Sequence, residues 1–304
     1  MIEVSNLTKR FADVTAVDDI SFTVQPGKVT GFLGPNGAGK TTTMRAIAGL
    51  DRPSAGTAMV NGKRLAEHRA PLHEIGVLLN AGHVHPGRSA TNHLLALAAT
   101  HGIGRTRVRE VIELTGLESV ANKRAGTFSL GMGQRLGIAG ALLGDPATLV
   151  MDEPINGLDP DGVVWVRQLL RELAADGRTV FLSSHLMSEM AITADHLIVI
   201  GRGQLIADSP IAEVLAGADK SRVFVRTNDA ARLAVALAAP SVTVTTVAHD
   251  ELEIIGIDAG VIARIAADAG VLLHELSTHT ASLEDAYMSL TRSSVEFTSG
   301  TAVR

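Results

Sequence analysis

Residues Gly34 to Thr42 read Gly-Pro-Asn-Gly-Ala-Gly-Lys-Thr-Thr, a glycine-rich run closing on a lysine and two hydroxyl side chains. Gly34, Gly39, Lys40 and Thr41 occupy the fixed places of G-x-x-x-x-G-K-[ST]. Each residue type has a task in holding a nucleoside triphosphate. Glycines let backbone N–H groups close around phosphate oxygens, and a helix N-terminus behind them adds partial positive charge. Lys40 can then reach the β- and γ-phosphates while the Thr41 hydroxyl ligates Mg²⁺. The candidate nucleotide site is thus the whole run, Gly34, Pro35, Asn36, Gly37, Ala38, Gly39, Lys40, Thr41 and Thr42.

A second constellation lies in Thr148-Leu149-Val150-Met151-Asp152-Glu153-Pro154, an apolar strand ending in two carboxylates. A buried strand that delivers Asp152 to the mouth of a phosphate loop supplies a second anchor for Mg²⁺. Glu153, one residue further, is placed to orient a water in line with the γ-phosphate.

These side chains need a scaffold, and the pattern of the chain describes one. Val29–Leu33 reads as a buried strand and Thr41–Leu50 as a helix, so the glycine loop joins the two. Ile2–Val24 has the look of two strands with Lys9-Arg10-Phe11 between them. Gly56–Gly62 and Ile75–Leu79 read as further strands. Helices follow: one capped by Ser89 or Thr91, and one over Val108–Leu114 capped by Thr106 with Val108, Val111, Ile112 and Leu114 on its apolar face; Leu136–Leu143 continues the helical region until Asp145-Pro146 stops it. Strands return at Thr148–Met151 and Thr179–Leu182 around a helix from about Asp161 to Ala175. A hairpin over His196–Ile200 and Gln204–Ala207 turns at Gly201-Arg202-Gly203, and Ser209-Pro210 starts a short helix. The fold class is α/β, a P-loop core with a helical insert at about residues 83–145. From residue 217 to 304 the order β-α-β-β-α-β predicts a small α+β domain of ferredoxin-like type behind a first domain of residues 1–216.

Composition narrows the function classes. The chain is 46% hydrophobic, yet no apolar run approaches the roughly 18 residues that span a bilayer. Met1-Ile2-Glu3-Val4 lacks a basic segment followed by an apolar one, so no secretory signal is expected. The absence of cysteine excludes disulfides and thiolate metal sites and is compatible with a reducing cytosol. A net charge of −5 argues against general nucleic-acid binding, and no nucleic-acid partner is expected. His83 and His85 form an H-x-H pair with no further clustered ligand, which reads as a contact loop and not a metal site.

Between and after the two constellations the chain resembles ATP-binding cassette (ABC) ATPases. Phe128-Ser129-Leu130-Gly131-Met132-Gly133-Gln134-Arg135 is similar to their serine-glycine signature, Asn156-Gly157-Leu158-Asp159-Pro160 to their D-loop, and Phe181-Leu182-Ser183-Ser184-His185 to their switch-histidine strand. The resemblance covers Ile2 to about Leu215 and is carried by five motifs in order. It implies ATP and Mg²⁺ as ligands, and two cassettes pairing head to tail. Ser129 and Gly131 of one cassette then meet the γ-phosphate held by Lys40 of the other, and Asp159 works across the interface. It further implies that Glu153, Lys40 and His185 are catalytic, with His185 sensing the γ-phosphate, and that Phe11 stacks on adenine unless it is a hairpin core residue. Asn80 stands where the family has glutamine as a metal contact; being one methylene shorter, it reaches Mg²⁺ directly or through a water. Leu130 and Met132 replace a glycine and a glutamine of the signature, which suggests altered coupling in an active ATPase.

The expectation is therefore a peripheral ATPase subunit on the cytoplasmic face of the membrane. It powers a separate integral-membrane permease, which it touches through the loop around Asn80–His85, for export of a drug, antibiotic or lipid-like compound. The alternative is a soluble ATPase of the same class acting on ribosomes or DNA. The C-terminal domain resembles accessory domains of multidrug and antibiotic exporter cassettes, and packing or dimer stabilisation is the plain reading of it.

Overall fold

The computed structural model describes residues 1–79, 84–217, 222–279 and 282–291. They form two compact units, over Met1–Ile211 and Ala212–Ser289. The boundary thus falls one short helix earlier than the division at residue 216.

The first unit runs β1 (Ile2–Phe11), β2 (Val14–Val24), β3 (Val29–Leu33), α1 (Lys40–Ile47), β4 (Ala55–Val60), α2 (Pro71–Glu74), β5 (Ile75–Leu78), α3 (Ala90–Ala99), α4 (Arg105–Leu114), α5 (Leu130–Leu142), β6 (Thr148–Met151), α6 (Pro160–Ala175), β7 (Thr179–Ser183), α7 (Met187–Thr193), β8 (His196–Gly201) and β9 (Gln204–Pro210). Its main sheet has the order β5-β6-β7-β3-β8-β9. The first five of these strands are parallel neighbours and β9 closes the edge antiparallel. β3, β6 and β7 are buried at every residue, as parallel strands covered on both faces require. An antiparallel sheet of order β2-β1-β4 packs against it. Phe22 of β2 meets Phe32 of β3 and Phe181 of β7 with ring centroids 5.8 Å apart, and those two rings lie 5.1 Å from each other, a three-ring knot joining the two sheets.

Because β6, β7 and β3 are adjacent and parallel, their carboxyl ends open on one edge of the sheet. The sheet order reverses there, the place where open α/β sheets hold ligands. β3 delivers the glycine loop, β6 the acidic pair and β7 the Ser183–His185 turn.

Three local expectations are corrected. α4 begins at Arg105 with Gly104 as its extended N-cap, so Thr106 lies inside the first turn; glycine serves at a cap without side-chain help. On that helix Val108, Val111 and Ile112 are buried, but Leu114 is 44% exposed in the last turn. Pro210 does not open a helix: it ends β9 opposite His196, where a strand at the sheet edge tolerates a missing N–H, and the helix starts at Ile211. The helical region read over Leu136–Leu143 belongs to α5, which starts at Leu130 with Ser129 as its cap, accepting Met132 N–H at 3.2 Å.

The second unit runs α8 (Ile211–Gly217), β10 (Arg222–Thr227), α9 (Ala230–Ala236), β11 (Thr243–Ala248), β12 (Glu251–Ile255), α10 (Ala259–Asp268), β13 (Leu273–His279) and α11 (Leu283–Thr291). Its sheet has the order β11-β12-β10-β13, antiparallel throughout, which is the ferredoxin-like arrangement. Val223, Val225, Leu252 and Ile254 of the sheet form its core with Leu233 of α9 and Ile262 of α10.

Candidate functional site

The glycine loop needs its glycines for space as well as for torsion. A Cβ on Gly34 would lie 2.4 Å from the Ile200 carbonyl oxygen, and one on Gly39 2.5 Å from that of Ala16. Gly39 also has φ +103°, which L side chains avoid, and it is the N-cap of α1. Lys40 follows as the first helical residue, 8% exposed, and its ammonium donates to the carbonyls of Gly34 (2.6 Å) and Pro35 (3.2 Å). Burial pulls its pKa below the usual lysine value, while Glu153 and Asp152 act in the opposite direction.

The acidic pair faces this loop. Thr41 Oγ1 donates to Asp152 Oδ2 at 2.6 Å, joining the first turn of α1 to the end of β6. The other oxygen, Asp152 Oδ1, accepts from Ser183 Oγ at the end of β7. Ser183 Oγ in turn accepts Glu153 N–H at 3.0 Å. Glu153 Oε2 lies 2.7 Å from His185 Nδ1 and accepts the His185 backbone N–H at 3.3 Å. Lys40, Thr41, Asp152, Glu153 and His185 are thus gathered at one mouth, from three strands.

Thr41 and Asp152 form an oxygen-only donor pair beside the loop. This suits Mg²⁺, a hard cation that takes few protein ligands and leaves its other positions to phosphate and water. The protein residues fit the ion. Asn80 and His83 lie outside the described residues. His85 accepts Gly87 N–H at 3.1 Å, and among the described residues no group of three or more His, Cys, Asp or Glu is arranged for a metal.

The remaining candidates sit at element ends. Phe11 ends β1 with its ring 48% exposed and Lys9 Nζ 4.8 Å from the centroid, so it is not a hairpin core residue. Ser129 is the exposed N-cap of α5 and Gly131 stands in its first turn. Accepting from Met132 N–H leaves the Ser129 hydroxyl proton available to a further acceptor. Asp159 caps α6 by accepting Gly162 N–H at 3.0 Å.

Two participants escaped sequence reasoning. Ser183 appeared only as a member of a strand motif, yet it bonds both acidic residues. Gln134 appeared only as part of the signature, yet its Nε2 donates to Glu153 O at 3.0 Å. The available signal for Ser183 was a hydroxyl at the end of an otherwise apolar strand.

Elsewhere in the first unit, a cavity of about 360 Å³ lies between β5 and the helices α3 and α5. Apolar residues such as Leu72, Val77, Leu97 and Leu136 line it, with His93 the one titratable group. His93 Nδ1 is buried without a hydrogen-bond partner; burial first, then Arg88, lowers its pKa. Among the described residues no helix is long and apolar enough to cross a membrane.

Comparison with known proteins agrees with this geometry. A family model described as ABC transporter matches residues 17–156, and one described as a domain of unknown function matches 221–284. The chain is 39% identical over 213 residues to the bacitracin transport ATP-binding protein BcrA of Bacillus licheniformis, covering 69% of this chain and 70% of that protein. It is 38% identical over 214 residues to the Nod factor export ATP-binding protein I of Burkholderia lata, covering 68% and 70%. Among solved structures it resembles an ATP binding subunit of an ABC transporter with a TM-score of 0.66 and 25% identity, over 71% of this chain and 92% of the other. The glycine loop and acidic pair gathered on a sheet of this topology, with the extent of these matches, lead to one conclusion: the chain belongs to the ABC transporter family, as an ATP-binding, ATP-hydrolysing subunit.

Proposed function

We propose that this ATPase is one half of a paired motor that drives export of a drug, antibiotic or lipid-like compound through a separate integral-membrane permease, working from the cytoplasmic face. The observation that carries the reading is the bond from Thr41 to Asp152, with Glu153 next in the chain and Lys40 within the loop. The loop amides and Lys40 bind the β- and γ-phosphates, and Phe11 offers a ring face to adenine. Mg²⁺, held by Thr41 and Asp152 with Asn80 as the further ligand that the family resemblance implies, would neutralise charge that develops between these phosphates. Glu153 orients the attacking water and accepts its proton. His185 holds the Glu153 carboxylate and senses the γ-phosphate.

Pairing supplies the rest. Ser129 and Gly131 of a second copy offer a hydroxyl and an amide at a helix N-terminus to the γ-phosphate, which suits an anion. Asp159 lines the same interface. The apolar cavity beside β5, with Leu79 and Val84 in its lining, receives the permease. Export of an amphiphilic compound is supported by the names of the two relatives, transport of bacitracin and export of Nod factor.

The test is Glu153→Gln, which keeps shape and removes the base. It should bind ATP with wild-type affinity and hydrolyse it at least ~100-fold more slowly. Near-normal turnover would place the base elsewhere. Lys40→Ala should lose ATP binding in the same calorimeter.

A further inference from the structure

We propose that Gln134 is a positioning residue for hydrolysis: by holding the main chain of Glu153, it couples the placement of helix α5 to the aim of the Glu153 carboxylate. The inference rests on the reading of Glu153 as the residue that orients water.

Glu153 has φ +52°, a left-handed conformation that residues with side chains adopt only at a cost. Such a conformation persists where its surroundings over-determine it. Three bonds do so here. The Glu153 N–H donates to Ser183 Oγ at 3.0 Å, and the Glu153 carbonyl accepts Asn156 N–H at 3.2 Å and Gln134 Nε2 at 3.0 Å. The first two come from the neighbouring strand and from the acidic turn itself. The third comes from α5, about one turn after the Ser129–Gly131 signature at the helix N-terminus.

Gln134 is 5% exposed, so its amide has little water to turn to, and the bond it makes is not readily exchanged. α5 also rests on the turn after the acidic pair: a Cβ on Gly131 would lie 3.2 Å from Gly157 O. A movement of the signature end of α5 therefore reaches the Glu153 peptide through a side chain made for the purpose. Loss of the Gln134 donor lets that peptide relax towards ordinary torsions. The Cα–Cβ direction of Glu153 turns with it, and the carboxylate leaves its 2.7 Å contact with His185. Binding of ATP by the glycine loop does not pass through this link, so the effect belongs to turnover.

The experiment compares full-length wild type, Gln134→Met, Glu153→Gln and the double variant by ATPase kinetics, ATP calorimetry and thermal unfolding. Methionine fills the glutamine's volume without an N–H donor; Gln134→Ala is measured alongside in case the thioether is not tolerated. The expected result is a kcat lower by about tenfold or more, with KM, ATP affinity and unfolding midpoint near wild type. On the Glu153→Gln background the same change should add no further loss, because Gln134 acts through that carboxylate. A wild-type kcat in Gln134→Met beside a slow Glu153→Gln overturns the inference and leaves the reading of Glu153 standing. An undiminished further loss in the double variant also overturns it. A fast Glu153→Gln removes the reading on which both depend.

Discussion

Lys40 is the residue whose environment most changes its chemistry. Its folded-state pKa is lowered from 10.5, chiefly by burial. Between that lowered value and 10.5 the unfolded chain binds more protons than the folded one, so Lys40's contribution to stability improves as pH rises through this window. Phosphate has the opposite effect, since an anion against the ammonium favours the charged form. ATP binding should therefore take up a fraction of a proton per site at alkaline pH, and its affinity should fall as pH climbs through the same window. Calorimetry in two buffers of different ionisation heat reads this as a difference in apparent enthalpy below pH 10.5 that vanishes near neutrality. Equal enthalpies in both buffers throughout would show that Lys40 stays fully charged in the free protein. Lys40, Thr41, Asp152 and Glu153 were legible because each motif encodes local backbone geometry: a strand, a turn, a helix start. Ser183 and Gln134 were not, because their partners lie 31 and 19 residues away: the pairing of β6 with β7 brings Ser183 to Asp152, and the packing of α5 brings Gln134 to Glu153.

At the scale of elements, the decisive contact is the seat of α5 on β5. A Cβ at Gly76 would lie 2.1 Å from the Ala141 carbonyl oxygen, so backbone rests on backbone and neither can swing aside. Gly133, on the same helix, has nothing within 4 Å of such a Cβ. The two glycines should respond with opposite signs. Gly76→Ala should lose about 1–3 kcal/mol through overpacking. Gly133→Ala should gain roughly 0.5–1 kcal/mol, as alanine does over glycine within a helix. Denaturant midpoints at constant slope separate them, and equal shifts would contradict the close seat of α5. Sequence pattern found most helices and strands here but placed the start of α4 and the end of β9 poorly. Caps explain the first: Gly104 begins α4 by backbone geometry with no side-chain bond, whereas Thr106 has only the composition of a cap. Pro210 was misread because its opposite number, His196, is set by tertiary pairing.

For the whole molecule, the question is how an event at the glycine loop reaches a protein in the membrane. The cavity beside β5 is bounded by the strand that precedes Asn80 and by α3 and α5, and α5 carries the signature. An occupant of that cavity touches elements connected to both the metal side of the site and the partner-facing side. Its walls are apolar and the His93 imidazole is kept neutral by burial, so a helix with an apolar face suits it better than an acidic segment. Leu97 lines the cavity, is 37% exposed, and takes no part in the nucleotide site. Leu97→Arg therefore puts a charge into the proposed docking surface at a stability change of about 0.5 kcal/mol or less, as surface substitutions usually do. Isolated Leu97→Arg protein should keep its unfolding midpoint and its basal hydrolysis within about twofold. Tagged wild type should bring a multi-spanning membrane protein from gently solubilised membranes in stoichiometric yield, and Leu97→Arg should lose at least ~tenfold of it, the loss one misplaced charge at an interface can cause. Full recovery with Leu97→Arg would move the docking site off this cavity. Recovery of wild type only from the soluble fraction would reject the transport role for this chain altogether.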